Sequence, residues 1–190
     1  LHMAFVCRFY PMVQRAKTMI EAGEIGPLVG MVGGNRGRPP LTPDYPAWIT
    51  QAEHAGGGAV LDHSVQVTDV MRYLSGAEVA SVTASVATLF HRELAVDDCG
   101  LLLLTWTNGM VASVDPSWSL PANNPFHYDF FLRLLGAGGL ITLDDTRQAL
   151  RVASDAPASP GYRWEPFGLD VDVALVHHFV HCLRAGEPLP

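Results

Sequence analysis

Asp62, Gln66, Asp69 and Tyr73 follow one another at spacings of four, three and four. Those spacings place four hydrogen-bonding side chains on one stripe of an α-helix. Around them Val60, Leu61, Val67, Val70, Met71 and Leu74 leave little of the same helix for water. A polar line on an otherwise apolar helix is what the wall of a ligand cleft requires. The Gly56-Gly57-Gly58 run just before it lets another backbone or a ligand come close, and the helix dipole favours the Asp62 carboxylate in the first turn. Two plainer readings stay open: Asp62 as a favourable first-turn charge and nothing more, and Asp69 as an ion-pair partner of Arg72.

A second set of chemistry-bearing residues lies near the end of the chain. His177 and His181 stand one helical turn apart, with Asp170 two turns earlier on the same stripe, an arrangement open to a metal ion. Such pairs often arise by chance, and on the surface of a last helix they are expected to be solvated, so no metal is expected. Cys7, Cys99 and Cys182 are scattered, without CxxC spacing. Buried, reduced thiols are expected rather than a disulfide framework or a zinc site.

The elements that must position these residues have the material for one hydrophobic core, since 48% of the 190 residues are hydrophobic and 16% charged. A single domain over residues 1–190 is expected. No apolar stretch approaches the ~18 residues needed to span a bilayer. Residues 1–10 lack the charged start and long apolar run of a secretory leader, so the chain is expected to be cytoplasmic or to have had its leader removed. A net charge of −7 without a basic run argues against nucleic acid as a partner.

Residues 2–9 mix apolar and aromatic side chains as a strand does, and Tyr10-Pro11 opens a helix through Val13, Ala16, Met19 and Ile20 that Gly23 closes. A second strand is expected at 28–32, ending in a Gly33-Gly34 turn, followed by a proline-rich loop over 36–45. The polar-striped helix should run over 59–74 and stop at Ser75-Gly76. The period then changes to two. Segment 79–88 alternates, with Ala80, Val82, Ala84 and Val86 on one face and Ser81, Thr83, Ser85 and Ala87 on the other. Segments 101–106 and 110–114 meet in a hairpin at Asn108-Gly109, segments 130–135 and 140–143 flank Gly136-Ala137-Gly138-Gly139, and 149–153 fits an edge strand. A last helix is expected over 169–185, with Gly186 as its stop.

Early helices, strands in hairpin order and a closing helix describe an α+β domain with a mainly antiparallel open sheet and its helices on one face. Residues 101–104 are apolar on both sides, and the small side of 79–88 is flat. The other face is therefore available for oligomerisation, most economically with a second copy of the chain, the alternative being an ordinary solvent-facing side.

Four pieces of the chain carry a resemblance, in order: Ala4-Phe5-Val6-Cys7-Arg8-Phe9-Tyr10-Pro11; Ile20-Glu21-Ala22-Gly23-Glu24-Ile25-Gly26; Trp48 followed by the stretch 56–62; and the stretch 69–76. Together they resemble the C-terminal domain of the glucose-fructose oxidoreductase and inositol dehydrogenase family. The most specific piece is GGGAVLDHSVQVTDVMRYLSG, and the likeness extends to both glycine hairpins and to the ending at 179–188. The resemblance implies a domain that binds a sugar or polyol substrate and forms a homodimer or homotetramer through its sheet face. It also implies an N-terminal Rossmann domain that binds NAD or NADP and carries the family's catalytic lysine. That domain is expected outside this chain, which has no strand-linked G-x-G-x-x-G, and the resemblance allows for a final helix outside it too. The whole protein is expected to be an NAD(P)-dependent dehydrogenase of a sugar, polyol or related hydroxy compound, and this domain by itself inactive.

In the family's helix motif an aspartate and, four residues on, a histidine face the nicotinamide. The resemblance puts Asp62 and Gln66 in those catalytic places, with Arg8, Trp48, His63 and Asp69 as substrate-binding positions. Arg8 is equally compatible with a surface ion pair. Gln66 departs from the pattern, because an amide hydrogen-bonds but does not titrate near neutral pH and cannot be a general base. The favoured account gives proton transfer to the lysine, with Gln66 holding a substrate hydroxyl. Alternatively His63 stands in, although it lies about 100° around the helix from Asp62, or the chain is a non-catalytic sugar-binding or scaffold protein.

Overall fold

The computed structural model describes residues 3–144, 149–154, 161–166 and 170–188. The chain enters through a single 3-10 turn, Val6–Phe9, and helix α1, Pro11–Glu21. No strand forms where one was expected near the start, because successive side chains leave in directions that two-fold alternation cannot provide. Cys7 enters the core, Arg8 turns to Asp69, and Phe9 meets the ring of His178. Helix α1 ends as expected at Gly23 (φ 75°): its N–H reaches Ile20 O at 2.9 Å and the Glu24 N–H reaches Met19 O at 3.0 Å, the paired bonds of a Schellman stop.

Strand β1 spans Leu28–Gly37 and runs straight through the two glycines where a turn was expected. Their role is space. A Cβ on Gly33 would collide with the Leu132 side chain and press on Met71 and Val67 at 3.0 Å, and one on Gly34 would lie 2.6 Å from Phe131 Cε1. A proline-containing loop, a 3-10 turn (Ala47–Thr50) and the short helix α2 (Ala52–Ala55) lead to α3, Ala59–Ser75.

Strands β2 (Val79–Ala87), β3 (Cys99–Trp106), β4 (Val111–Ser117), β5 (Tyr128–Gly136) and β6 (Gly139–Asp144) complete a six-stranded sheet in the order β2-β3-β4-β1-β5-β6. Only the central β1–β4 pair is parallel. Both glycine hairpins form where expected, the first with Gly109 at φ 85° and the second with Gly136 opposite Gly139. Segment 149–153 is a strand, as expected, but not on the edge of this sheet. Strand β7 (Ala149–Ser154) pairs antiparallel with β8 (Gly161–Pro166) in a ladder of its own. Helix α4 spans Val171–Ala185, capped by the Asp170 carboxylate and stopped at Gly186 (φ 68°); the expected start at Leu169 lies outside the described residues.

One face of the sheet, carrying Met31, Leu104, Trp106, Val114, Leu132 and Leu134, packs against Val13 and Ala16 of α1 and Val67, Val70, Met71 and Leu74 of α3. This is the expected α+β class with a mainly antiparallel open sheet. On the opposite face Leu101, Leu103 and Val111 stay 51%, 54% and 58% exposed. Among the described residues no helix is long and apolar enough to cross a membrane.

Candidate functional site

The start of α3 fixes the site. Gly58 packs so tightly on Asp97 that a Cβ there would overlap the Asp97 backbone. The Asp97 carboxylate accepts the N–H groups of Gly58 (2.8 Å) and Val60 (2.7 Å), and its carbonyl accepts the Ala59 N–H at 2.9 Å. The glycine run thus admits another backbone, and a protein carboxylate occupies the helix N-terminus. The neighbouring Asp98, fully buried, accepts the N–H groups of Leu89, Phe90 and His91 at 2.8, 2.7 and 2.5 Å. Burial alone would push its carboxyl up, but these bonds hold it below the usual carboxylate range.

Asp62 Oδ2 accepts the Trp118 indole N–H at 3.1 Å and lies 3.2 Å from His63 Nε2. Burial raises the Asp62 carboxyl, yet the hydrogen bond and charge of His63 and the Trp118 bond outweigh it, leaving the group below its ordinary value. His63 is 2% exposed. A Cβ on Gly37 would come within 2.6 Å of its Cε1, and its ring meets Tyr128 at a centroid distance of 5.8 Å. The rotation around the helix expected to separate His63 from Asp62 is overcome by the reach of the imidazole, whose Nε2 comes back onto the carboxylate.

Both side chains line a cavity of about 370 Å³ between α3, the Val6–Phe9 turn, Tyr10, the ends of β1 and β5, and the first residues of α4. Asn35, Gln66, Tyr128 and Asp172 line it as well. Among the described residues five buried side-chain polar atoms lack a hydrogen-bond partner, and three of them, Asn35 Oδ1, His63 Nδ1 and Gln66 Oε1, belong to this lining. Each such group costs about 1–3 kcal/mol when left unpaired, so the cavity is short of the partners that a polar ligand supplies. Burial, then a hydrogen bond with Tyr45, pushes the Tyr128 phenol well above its usual range. No Lys or Arg is among the described residues that line it.

The polar stripe therefore divides. Asp62 and Gln66 line the cavity, whereas Asp69, 3% exposed, takes both arms of the Arg8 guanidinium at 2.6 and 2.5 Å. Arg72 pairs instead with Glu78 at 2.6 Å, and the Tyr73 hydroxyl reaches Gln14 at 3.4 Å. Arg8, Asp69 and the half-exposed Trp48 are not among the cavity-lining residues. Asp170 uses its carboxylate as a helix cap, and His181 lies 3.7 Å from Glu187. Among the described residues no three metal-ligating groups come together. Asn35, Tyr128, Trp118 and Asp172 were not singled out from sequence; a polar Asn35 next to two glycines in a buried strand was the one available signal.

The solved structure of levoglucosan dehydrogenase with NADH and levoglucosan has a similar fold, with a TM-score of 0.77 and 26% identity over 100% of this chain and 58% of that one. The family model described as GFO/IDH/MocA C-terminal domain matches residues 13–142, and the chain belongs to that family. An uncharacterized oxidoreductase, YrbE, of Bacillus subtilis is 31% identical over 77% of this chain and 41% of its own length. The scyllo-inositol 2-dehydrogenase (NAD(+)) of the same organism is 27% identical over 97% of this chain and 53% of its own length. The chain thus spans about half the length of the curated relatives it matches.

Proposed function

We propose that this chain forms the substrate side of an NAD(P)-dependent dehydrogenase acting on a carbinol group of a sugar, polyol or related hydroxy compound. The observation that carries the reading is the cavity, where the carboxylates of Asp62 and Asp172 and three unpartnered buried polar atoms converge with no Lys or Arg among the described lining residues. Hydroxyl groups, which both donate and accept, satisfy such a set. Relatives named as inositol and levoglucosan dehydrogenases support the same substrate class.

The described residues do not fit a dinucleotide pyrophosphate. The helix start that follows the glycine run is occupied by Asp97, and Gly136 and Gly139 close a hairpin. NAD or NADP would be held by a part of the protein outside these residues and would supply hydride chemistry at the carbinol carbon. This chain's own part is orientation. Asp62 accepts a hydrogen bond from the reacting or an adjacent hydroxyl, and Gln66 holds a second hydroxyl through its amide. Gln66 cannot take the hydroxyl proton. His63 turns Nε2 to Asp62 and keeps Nδ1 without a partner in the lining, so the proton acceptor is either that nitrogen or a group of the cofactor-binding half, and we assign it to the latter, in keeping with a lysine there. Arg8 and Asp69 support the wall from behind, and Trp48 is left as a rim position. Homodimers or homotetramers form through the open sheet face in the cytoplasm.

The test is steady-state turnover of sugars and polyols by the full-length protein with NAD+ and NADP+. Asp62→Asn should lower kcat/KM by roughly 100-fold, the order of loss that misplacing a substrate brings, and unchanged turnover would overturn the assignment. Gln66 itself favours a second reading, a sugar binder of the same fold without chemistry. That reading predicts saturable sugar binding, no turnover, and no gain from Gln66→His.

A further inference from the structure

We infer that Trp118 and His63 are positioning residues that clamp one oxygen of Asp62, leaving the other as the acceptor presented to the cavity. Two donors converge on Oδ2, the indole N–H at 3.1 Å and His63 Nε2 at 3.2 Å. Asp62 has a side chain 56% exposed on the first turn of a helix, and without these bonds its carboxylate would sample several rotamers.

Both donors are themselves held. Trp118 is 1% exposed, packed with Ala59, Val96, Ile49 and Leu94, and its backbone N–H donates to Asp98 O at 2.8 Å. Its carbonyl lies 3.2 Å from His91 Nε2. His63 is buried between Gly37 and Tyr128 with Nε2 turned to Asp62, so that a proton on that nitrogen is donated to the carboxylate. The loop that carries Asp97 and Asp98 therefore sets both the start of α3 and, through Trp118, the direction of a carboxylate on that helix.

The remaining titratable groups around Asp62 are Asp172 across the cavity, Tyr128 and Tyr10 on its walls, Cys7 beneath it, and Asp97 at the helix start. None of these described residues is cationic, so the Trp118 and His63 N–H groups act with the first-turn helix dipole to favour the ionised carboxylate. The sense of this arrangement toward substrate rests on the function proposed above; the clamp does not.

The decisive measurement is an NMR titration of the Asp62 carboxyl and the Trp118 indole N–H in the whole protein without substrate. The wild-type indole proton should follow the Asp62 midpoint. In Trp118→Phe that midpoint should move to higher pH. His63→Gln, which keeps an N–H donor, should move it less than His63→Leu. If Trp118→Phe does not fold, Asp62→Asn takes its place, with an upfield shift of the indole proton expected. An indole proton blind to Asp62, or a midpoint unchanged in folded Trp118→Phe, overturns the clamp. In the active enzyme the acid limb of kcat/KM should move to higher pH in Trp118→Phe. A midpoint shift without any dehydrogenase activity would uphold the clamp and sink only the proposed function.

Discussion

Arg8 and Asp69 form a bidentate pair with one member sealed from water. Removing one partner of a buried pair leaves the other uncompensated, a loss of about 3–5 kcal/mol. Arg8→Met should approach the lower end, because the guanidinium keeps 20% of its side chain exposed, and a fall in the urea midpoint at constant m-value is the check. Asp62 makes a different prediction. Its folded carboxyl lies below its ordinary value, so it contributes stability above the unfolded pKa that is lost as pH falls through the lower folded one. Melting temperatures of wild type and Asp62→Asn should therefore converge on acidification, and a constant gap would contradict the assignment. Spacing put Asp62, Gln66, Asp69 and Tyr73 on one stripe, since a helix period fixes which residues share a face, but not which of the four line the cavity. It could not find Trp118, which lies 56 positions away and arrives through the sheet, or Asn35, on a strand expected to stop before it.

Helix α3 was legible almost to the residue because its apolar period, its glycine start and Gly76 all agree. What the glycines make room for was not, since the Asp97 backbone comes from 39 positions downstream of Gly58. Asp97→Ala should lower stability by about 1 kcal/mol, as the loss of a helix cap does, visible in chemical denaturation. Gly58→Ala should cost more than Asp97→Ala, because its Cβ would overlap the Asp97 backbone. The same blindness to distant neighbours explains β1. Gly33 and Gly34 read locally as a turn, and only the packing of Leu132, Phe131 and α3 shows why a strand needs them.

The fold class followed from the change of period after α3, but the strand order did not, because the parallel β1–β4 pair leaves no local mark. The uncovered face was readable in the two-sided apolar character of 101–104, and Leu101, Leu103 and Val111 are indeed exposed there. If that face joins copies of the chain, Leu103→Lys should shift sedimentation toward the monomer while leaving the circular dichroism spectrum intact. The central place of β1 has a kinetic consequence. Its two neighbours, β4 and β5, are synthesised more than seventy residues after it, whereas β3 and β4 can zip as soon as their turn emerges. Early in translation β1 is a strand with both edges bare, a template for wrong pairing. Pulse-labelled hydrogen exchange should find the 99–117 amides protected before those of 28–37.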